Sequence, residues 1–585
     1  MKEFKCRLAA LCLSAALTLS LAGCGSGDSS SGGSSAADAS GSASTADSGS
    51  AASGAESAAE SAASGADESK GYERAPLATQ PVTEKLGELD LTAVQNDSDV
   101  PADFKLEIEA ESFELDGKAA VLKKSSMGDF SGEGYVILVV DAGTATFEAE
   151  LPKTGKYDLS IISARAAEDA AASIQIDGKE LSSLSITSTK FADNGLKNIE
   201  LPEGKHTFTI KSTKSNTFVD KVIITPPAQV DLSIYDVKKE LANPNAGDET
   251  KRLYNFLRDI YGKYTLSGQY SGDNMGSSSA EFYVIEETTG KKPAILGLDL
   301  IELSPSRIAH GSNNGKEVPR QAVEWWNDGG IVTLCWHWNA PEPYLETSAD
   351  DAWWSGFYSE HTNFNLAKAL SKEDEEGYNY LIRDIDAIAE TLMFLDDMHV
   401  PILWRPLHEG GGDPKWHNPW FWWGSAGADA YIELWKLMYD RLTNVHKINN
   451  LIWVWNGQDP DYYPGDEYVD IIGYDYYADK GDTSSQKAIF DLMKSVTDEK
   501  KIIAMTENGV IPDPQKCFAD GSRWCWFATW NGEFMIDGGE MKVSDYTGEE
   551  NAKAFYNSER VLTLDELPDL KSYPIDTEKF LEENK

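Results

Sequence analysis

Two glutamates follow apolar runs: Glu409 ends VPILWRPLHE (400–409) and Glu507 stands near the end of KIIAMTENG (501–509). After Glu409 comes a polar, glycine-rich loop and then WFWWG (420–424), four aromatic residues in five positions. Two carboxylates about 5–5.5 Å apart can divide the work of a retaining glycosidase, one attacking the anomeric carbon while the other protonates the departing oxygen. A glutamate in an aromatic pocket keeps its proton to higher pH, because burial disfavours the charged form. The flat aromatic faces can also stack on pyranose rings, and the glycines let the loop bend around a polysaccharide. Taken singly, a strand-end glutamate is more often a solvated surface group and a tryptophan cluster more often core. Taken together on one scaffold, they point to catalysis.

The scaffold is legible in the segments around them. Eight apolar strand candidates run through residues 240–580: 264–270, 293–300, 329–338, 400–409, 450–456, 469–477, 501–509 and 524–530. Helical patterns separate them. In YNYLIRDIDAIAETLMFLDDMHV, Ile382, Ile385, Ile388, Leu392 and Leu395 recur every three to four residues and predict one buried stripe. Apolar strands alternating with helices predict a parallel sheet covered on both faces, here a (β/α)8 TIM barrel. No glycine-rich phosphate loop follows the first strand, as an open doubly wound sheet binding a dinucleotide would show. In a barrel the chemistry gathers at the C-terminal ends of the strands, so Glu409 closing the fourth and Glu507 closing the seventh would converge over the mouth. Trp325 and Trp326, in a helical stretch, and Trp453 and Trp455, two apart on the fifth strand, read as barrel packing. The eight histidines show no H-E-x-x-H spacing, and no G-x-S-x-G elbow occurs, which argues against zinc and serine hydrolases.

Outside the barrel the composition changes twice. Residues 104–228 alternate with period two in short runs broken by Gly, Pro and Asp, which predicts an all-β sandwich, jelly-roll-like, N-terminal to the barrel. Residues 25–75 are almost all Ser, Ala, Gly, Asp and Glu, an acidic linker too polar to bury a core. Residues 1–24 carry Lys2, Lys5 and an apolar stretch ending Leu21-Ala22-Gly23-Cys24, an export signal whose end resembles a bacterial lipobox. Cys24 would then be lipidated, placing the chain on the extracellular face of the cell envelope through a lipid anchor only. Cys335, Cys517 and Cys525 remain after processing, and the last two read equally as a pair or as free thiols. With 52 basic and 96 acidic residues, a formal charge of −44 argues against nucleic acid as a partner. The chain is expected to be monomeric.

Two resemblances add to this reading. EIEAE, SGEGYV, LPKTGKYDLSI and FVDKVIIT resemble a carbohydrate-binding module of family 35 or the similar family 6. That likeness implies a structural calcium ion held by Glu109, Glu111 and Asp220, whose hard oxygens suit it; ordinary edge-strand charge is the competing explanation. Over 248–575, WRPLHE…WFWWG, TENG, SGQ, GYDYY and WWSGFYSEHTNFNLAKAL resemble glycoside hydrolase family 26, whose typical activity is endo-β-1,4-mannanase. The resemblance implies Glu409 as acid/base, Glu507 as nucleophile and no cofactor for catalysis. It further implies that His408, His337, Asp475 and Tyr477 contact the sugar or position the nucleophile, with Tyr476 competing for the last role, and that Trp420 and Trp530 stack on sugars. The loop GGGDPKWHNP before Trp420 is longer than the connection expected in many members. The expected substrate is β-mannan, glucomannan or galactomannan; mixed-linkage β-glucan, β-1,3-xylan, or a non-catalytic glycan-binding lipoprotein are the alternatives.

Overall fold

The structure, a computed structural model, describes residues 89–583 apart from 125–127, 167–169, 187, 273–274, 346–352 and 416. The signal, Cys24 and the acidic linker lie outside the described residues.

Ten strands form the N-terminal unit: β1 (Leu106–Glu109), β2 (Glu114–Leu122), β3 (Tyr135–Leu151), β4 (Gly155–Arg165), β5 (Ala170–Ile176), β6 (Lys179–Ile186), β7 (Ala192–Asp193), β8 (Leu196–Leu201), β9 (Gly204–Lys214) and β10 (Thr217–Thr225). All their pairings are antiparallel. GYVILVV and ATFEAELP, read as two strands, are one 17-residue strand, β3. Its first half pairs with β10 and its second with β9, so it passes from one layer to the other. The crossing sits at a bulge where Gly117 of β2, at φ 64°, lies against Ala142; a Cβ there would meet the Ala142 oxygen at 2.1 Å. Between the layers lie Val136, Leu138, Phe147, Leu159, Ile161, Phe208, Ile210 and Val222, all buried. Their inward parity on each strand is what the period-two pattern encodes.

The second unit is the expected barrel. Strands β11 (Thr265–Tyr270), β12 (Ile295–Asp299), β13 (Ile331–Cys335), β14 (Ile402–Arg405), β15 (Leu451–Trp455), β16 (Ile471–Tyr476), β17 (Ile502–Asn508) and β18 (Trp526–Thr529) pair in parallel in sequence order. The pairings of β11 with both β18 and β12 close the ring. A two-residue strand, Val561–Leu562, pairs outside the ring with β11. Among the described residues the crossover from β15 to β16 carries two short 3-10 turns, Pro460–Tyr462 and Asp466–Tyr468, in place of an α-helix.

Two details of the sequence reading are corrected. The fourth strand ends at Arg405, so Glu409 lies four residues beyond it rather than closing it; Pro406 cannot donate to the ladder, and Leu407 and Glu409 both take positive φ. The helix Glu375–Asp397 buries Leu381, Ile385, Ile388, Leu392 and Leu395, with Ile382 only half-buried. Its stripe is shifted because Asp384, fully buried, accepts a hydrogen bond from the Trp338 indole at 2.9 Å and so pulls that face inward. Trp325, Trp326, Trp453 and Trp455 are buried, as the packing reading requires. Cys335, Cys517 and Cys525 are buried free thiols.

Candidate active site

Charged side chains inside a closed barrel must neutralise one another, and the mouth of this one is built on that constraint. Arg405, the last residue of β14, is fully buried. Its Nη1 donates to Asp475 Oδ2 at 2.6 Å, and its Nη2 donates to the Tyr270 hydroxyl at 2.9 Å and to Glu507. Asp475 and Glu507 are register partners on β16 and β17, just beyond an irregularity that leaves Thr506 as the extra residue. The Thr506 hydroxyl donates to Asp475 Oδ1 at 2.6 Å. The second oxygen of Glu507 accepts from the Tyr477 hydroxyl at 2.5 Å. Tyr477, and not Tyr476, therefore touches this glutamate.

Glu409 arrives from the turn beyond β14. Its backbone N–H donates to the Asn456 carbonyl at 2.7 Å, and its Oε2 accepts from the Trp420 indole at 2.7 Å. The turn can be this tight because Gly424 and Gly410 lack side chains: a Cβ on Gly424 would stand 1.6 Å from the Gly410 oxygen. One carboxylate oxygen from each of Glu409, Asp475 and Glu507 lies within 4.8 Å of the others. Burial, then the charges of Asp475 and Glu507, hold the Glu409 carboxyl well above the usual carboxylate range. Burial and the Glu507 charge also push Asp475 up, against the pull of Arg405. Three carboxylates and one guanidinium in a buried site leave room for a proton, and Glu409, which makes no ion pair among the described residues, is the carboxyl that burial and its neighbours most favour to hold it. The arrangement offers one carboxylate held by two donors, Glu507, beside one whose charged form burial disfavours, Glu409.

The aromatic run lines this site in layers. The Trp423 indole donates to the His408 carbonyl at 2.9 Å and the Trp422 indole to the Trp338 carbonyl at 2.6 Å, so both face inward as support. Trp420 and Trp530 are half-buried and keep a face toward the mouth. Trp530 packs on Tyr270 with ring centroids 4.7 Å apart and reaches His337 at 5.8 Å. His337 and His408 meet through their Nε2 atoms at 3.1 Å. Glu409, Glu507, His337, His408, Trp420, Asp475, Tyr477 and Trp530 thus belong to one continuous cluster. Sequence reading did not single out Arg405, Tyr270, Thr506 or Asp299. The signal for Arg405 was available: an arginine ending an otherwise apolar buried strand demands acidic partners at the same level of the barrel.

The expected calcium ligands gather elsewhere. Glu109 Oε2 and Asp220 Oδ2 both accept from the Ser131 hydroxyl, at 2.7 and 3.0 Å, and Glu111 Oε1 accepts from the Glu133 backbone N–H at 2.6 Å. Glu111 Oε2 is buried without a partner. Hard oxygens with one orphaned lone pair suit a calcium ion. The sets of three acidic, His or Cys donors lying within 4.8 Å of one another among the described residues are different ones: Glu409–Asp475–Glu507 and Asp299–Cys335–His337. The first is already held by Arg405 and Tyr477.

Comparison with known proteins agrees with the geometry. Residues 242–566 match the model of glycosyl hydrolase family 26. The chain is 40% identical over 442 residues to a mannan endo-1,4-β-mannosidase of Thermothelomyces thermophilus, covering 75% of this chain and 86% of that one. It is 34% identical over 472 residues to mannan endo-1,4-β-mannosidase B of a Piromyces species, covering 79% and 77%. Among solved structures, the Podospora anserina GH26-CBM35 β-(1,4)-mannanase superposes with a TM-score of 0.58 at 34% identity, over 80% of this chain and 100% of that one.

Proposed function

The chain belongs to glycosyl hydrolase family 26, and from that premise we propose that it cleaves internal β-1,4-mannosidic bonds of mannan, glucomannan or galactomannan with retention of configuration. Family 26 enzymes need no cofactor for catalysis. The observation that carries the mechanism is the approach of Glu409 and Glu507 oxygens within 4.8 Å, a spacing that suits direct attack by one carboxylate and is short for an intervening water. Glu507, held by Arg405 and Tyr477, attacks the anomeric carbon while Glu409 gives its proton to the leaving oxygen. The aglycone departs, Glu409 is now ionised, and it takes a proton from the water that hydrolyses the glycosyl-enzyme. Tyr477 and Arg405 keep Glu507 oriented. Trp420 and Trp530 offer faces to the flanking sugars, and His337 and His408, whose Nε2 atoms meet each other, line the wall beside Glu409 against which the sugar would lie.

The β-sandwich reads as a carbohydrate-binding module resembling family 35, keeping the barrel near polysaccharide by a second attachment. Glu109, Glu111 and Asp220 would hold its structural calcium, which supplies charge balance for three carboxylates rather than chemistry. The export signal, lipidation at Cys24, a lipid anchor on the extracellular face of the envelope and a monomeric state complete the proposal.

Product analysis on galactomannan and mannohexaose, beside Glu507→Ala, tests the reading. A ladder of short manno-oligosaccharides from the unmutated chain alone supports it. Release of sugar from lichenan or β-1,3-xylan but from no mannan would replace the substrate.

A further inference from the structure

Asp299, at the C-terminal end of β12, has no part in the steps above, yet it uses both carboxylate oxygens on one neighbour. Its Oδ2 faces His337 Nδ1 at 2.6 Å, and its Oδ1 accepts from the His337 backbone N–H at 3.1 Å and from the Ile301 N–H at 2.9 Å. Burial pushes this carboxyl up, but His337 and the two backbone donors outweigh burial and hold it below the usual carboxylate range. An ionised acceptor at 2.6 Å places a proton on His337 Nδ1. In the neutral imidazole the other ring nitrogen, His337 Nε2, is then a lone pair, 3.1 Å from His408 Nε2.

His408 has one tautomer that suits this arrangement. It is fully buried, and burial above all, with the Arg405 charge, drives its pKa far down, so it is neutral and carries a single N–H. Its Nδ1 is buried without a partner. A proton there would be a buried donor with nothing to meet, and two lone pairs would face each other at Nε2. A proton on Nε2 instead donates to His337, and the orphan becomes a lone pair, the less costly of the two. The Asp299–His337 contact and the Cys335 thiol, directed at the Leu298 carbonyl at 3.8 Å, give each member of this cluster a hydrogen-bond partner within the protein.

We propose that Asp299 is a positioning residue for the family 26 reaction: it sets the tautomer of His337, and through it that of His408, the residue that precedes Glu409. The consequence for catalysis rests on Glu409 being the acid/base. The hydrogen-bonded chain of Asp299 from β12, His337 beyond β13 and His408 beyond β14 ties three neighbouring strands to the turn that carries Glu409.

Asp299→Asn is the discriminating variant, since it keeps the shape but has one acceptor oxygen for three N–H donors. The two backbone N–H groups hold that oxygen, the amide NH2 faces His337 Nδ1, and His337 must switch to the Nε2–H form. It then meets His408 Nε2–H head-on.

The test is 15N NMR of histidine-labelled full chain, with His337 and His408 assigned by His337→Gln and His408→Gln, beside steady-state kinetics on mannohexaose. The expected result is Nδ1–H on His337 and Nε2–H on His408 in the unmutated chain, both reversed in Asp299→Asn, with kcat falling roughly a hundredfold and KM changing less. The double variant Asp299→Asn/His337→Gln should be no worse than His337→Gln alone. A His408 proton on Nδ1 in the unmutated chain, unchanged tautomers in Asp299→Asn, or additive losses in the double variant would overturn the proposal. The tautomers are read without turnover, so a chain inactive on mannan would fail the functional reading and leave this test intact.

Discussion

The two glutamates are chemically identical and differ only in what surrounds them. Glu507 accepts from Arg405 and Tyr477, whereas Glu409 accepts, among the described residues, only from the Trp420 indole and sits among like charges. Glu507→Ala should therefore reduce mannan hydrolysis to background in a reducing-sugar assay. Glu409→Ala should lose about 10²–10⁴-fold on mannan but far less on an aryl mannobioside with a good leaving group, because protonation then matters less. Equal loss on both substrates would remove Glu409 from the acid/base role. The Glu409 proton must be present when the leaving group departs, so activity falls on the alkaline side as Glu409 ionises. Replacing Asp475 with Asn removes a negative charge that raises the Glu409 pKa. The alkaline limb of kcat/KM should accordingly move to lower pH, and an upward shift would contradict the charge assignment. Both glutamates stood out in the sequence because each follows an apolar strand. Arg405 did not, since its role depends on partners 70 and 102 positions away that only the closed barrel brings into reach.

At the scale of elements, the turn from β14 to the helix Ala428–Tyr439 governs the site. Gly424 lies against the Gly410 carbonyl so closely that any side chain must displace the turn carrying Glu409. Gly424→Ala should lower kcat by at least about tenfold, with a fall in melting temperature, when kinetics and thermal unfolding are measured together. Unchanged kcat would mean that the Glu409 turn tolerates displacement. The sequence marked the glycines but assigned them to bending around a substrate; backbone-to-backbone approach in the folded turn is what demands them. The strand order was legible because the barrel strands are apolar along their whole length. Their ends were not, since hydrophobicity continues past Arg405 into residues that have already left the ladder. In the sandwich, GYVILVV and ATFEAELP look like separate short runs because Asp141 and Gly143 interrupt the apolar alternation, yet β2 pairs straight across the interruption through a bulge.

At the scale of the whole molecule, sandwich and barrel are joined by buried polar contacts. Asn96, before β1, donates to the Ala228 carbonyl at 2.8 Å and to the Ala519 carbonyl on the barrel at 2.7 Å. Arg523, fully buried, donates to the Val94 carbonyl at 2.6 Å and the Gly262 carbonyl at 2.9 Å. Arg523→Ala leaves several buried carbonyls without donors, each costing about 1–3 kcal/mol. Calorimetry should then show unfolding at a lower temperature than in the unmutated chain, and an unchanged profile would mean that these bonds add little to the joint. These contacts were invisible in the sequence, because a side chain bonding to a distant backbone oxygen leaves no pattern at the acceptor. The proposed calcium ion is tested at the same scale: EGTA should lower the melting temperature of the sandwich, because Glu109, Glu111 and Asp220 would lose the counter-charge of the ion. No change with EGTA would mean that Ser131, the Glu133 N–H and the Lys221 charge suffice for those carboxylates.

Retention by the Glu409–Glu507 pair is tested most directly by 1H NMR of mannohexaose during its first minutes of hydrolysis, with Glu507→Ala alongside. The β-anomer at the new reducing ends should appear first and drift toward the equilibrium mixture later, with no product from the variant. An α-anomer at the outset, or comparable cleavage by Glu507→Ala, would contradict double displacement at this site.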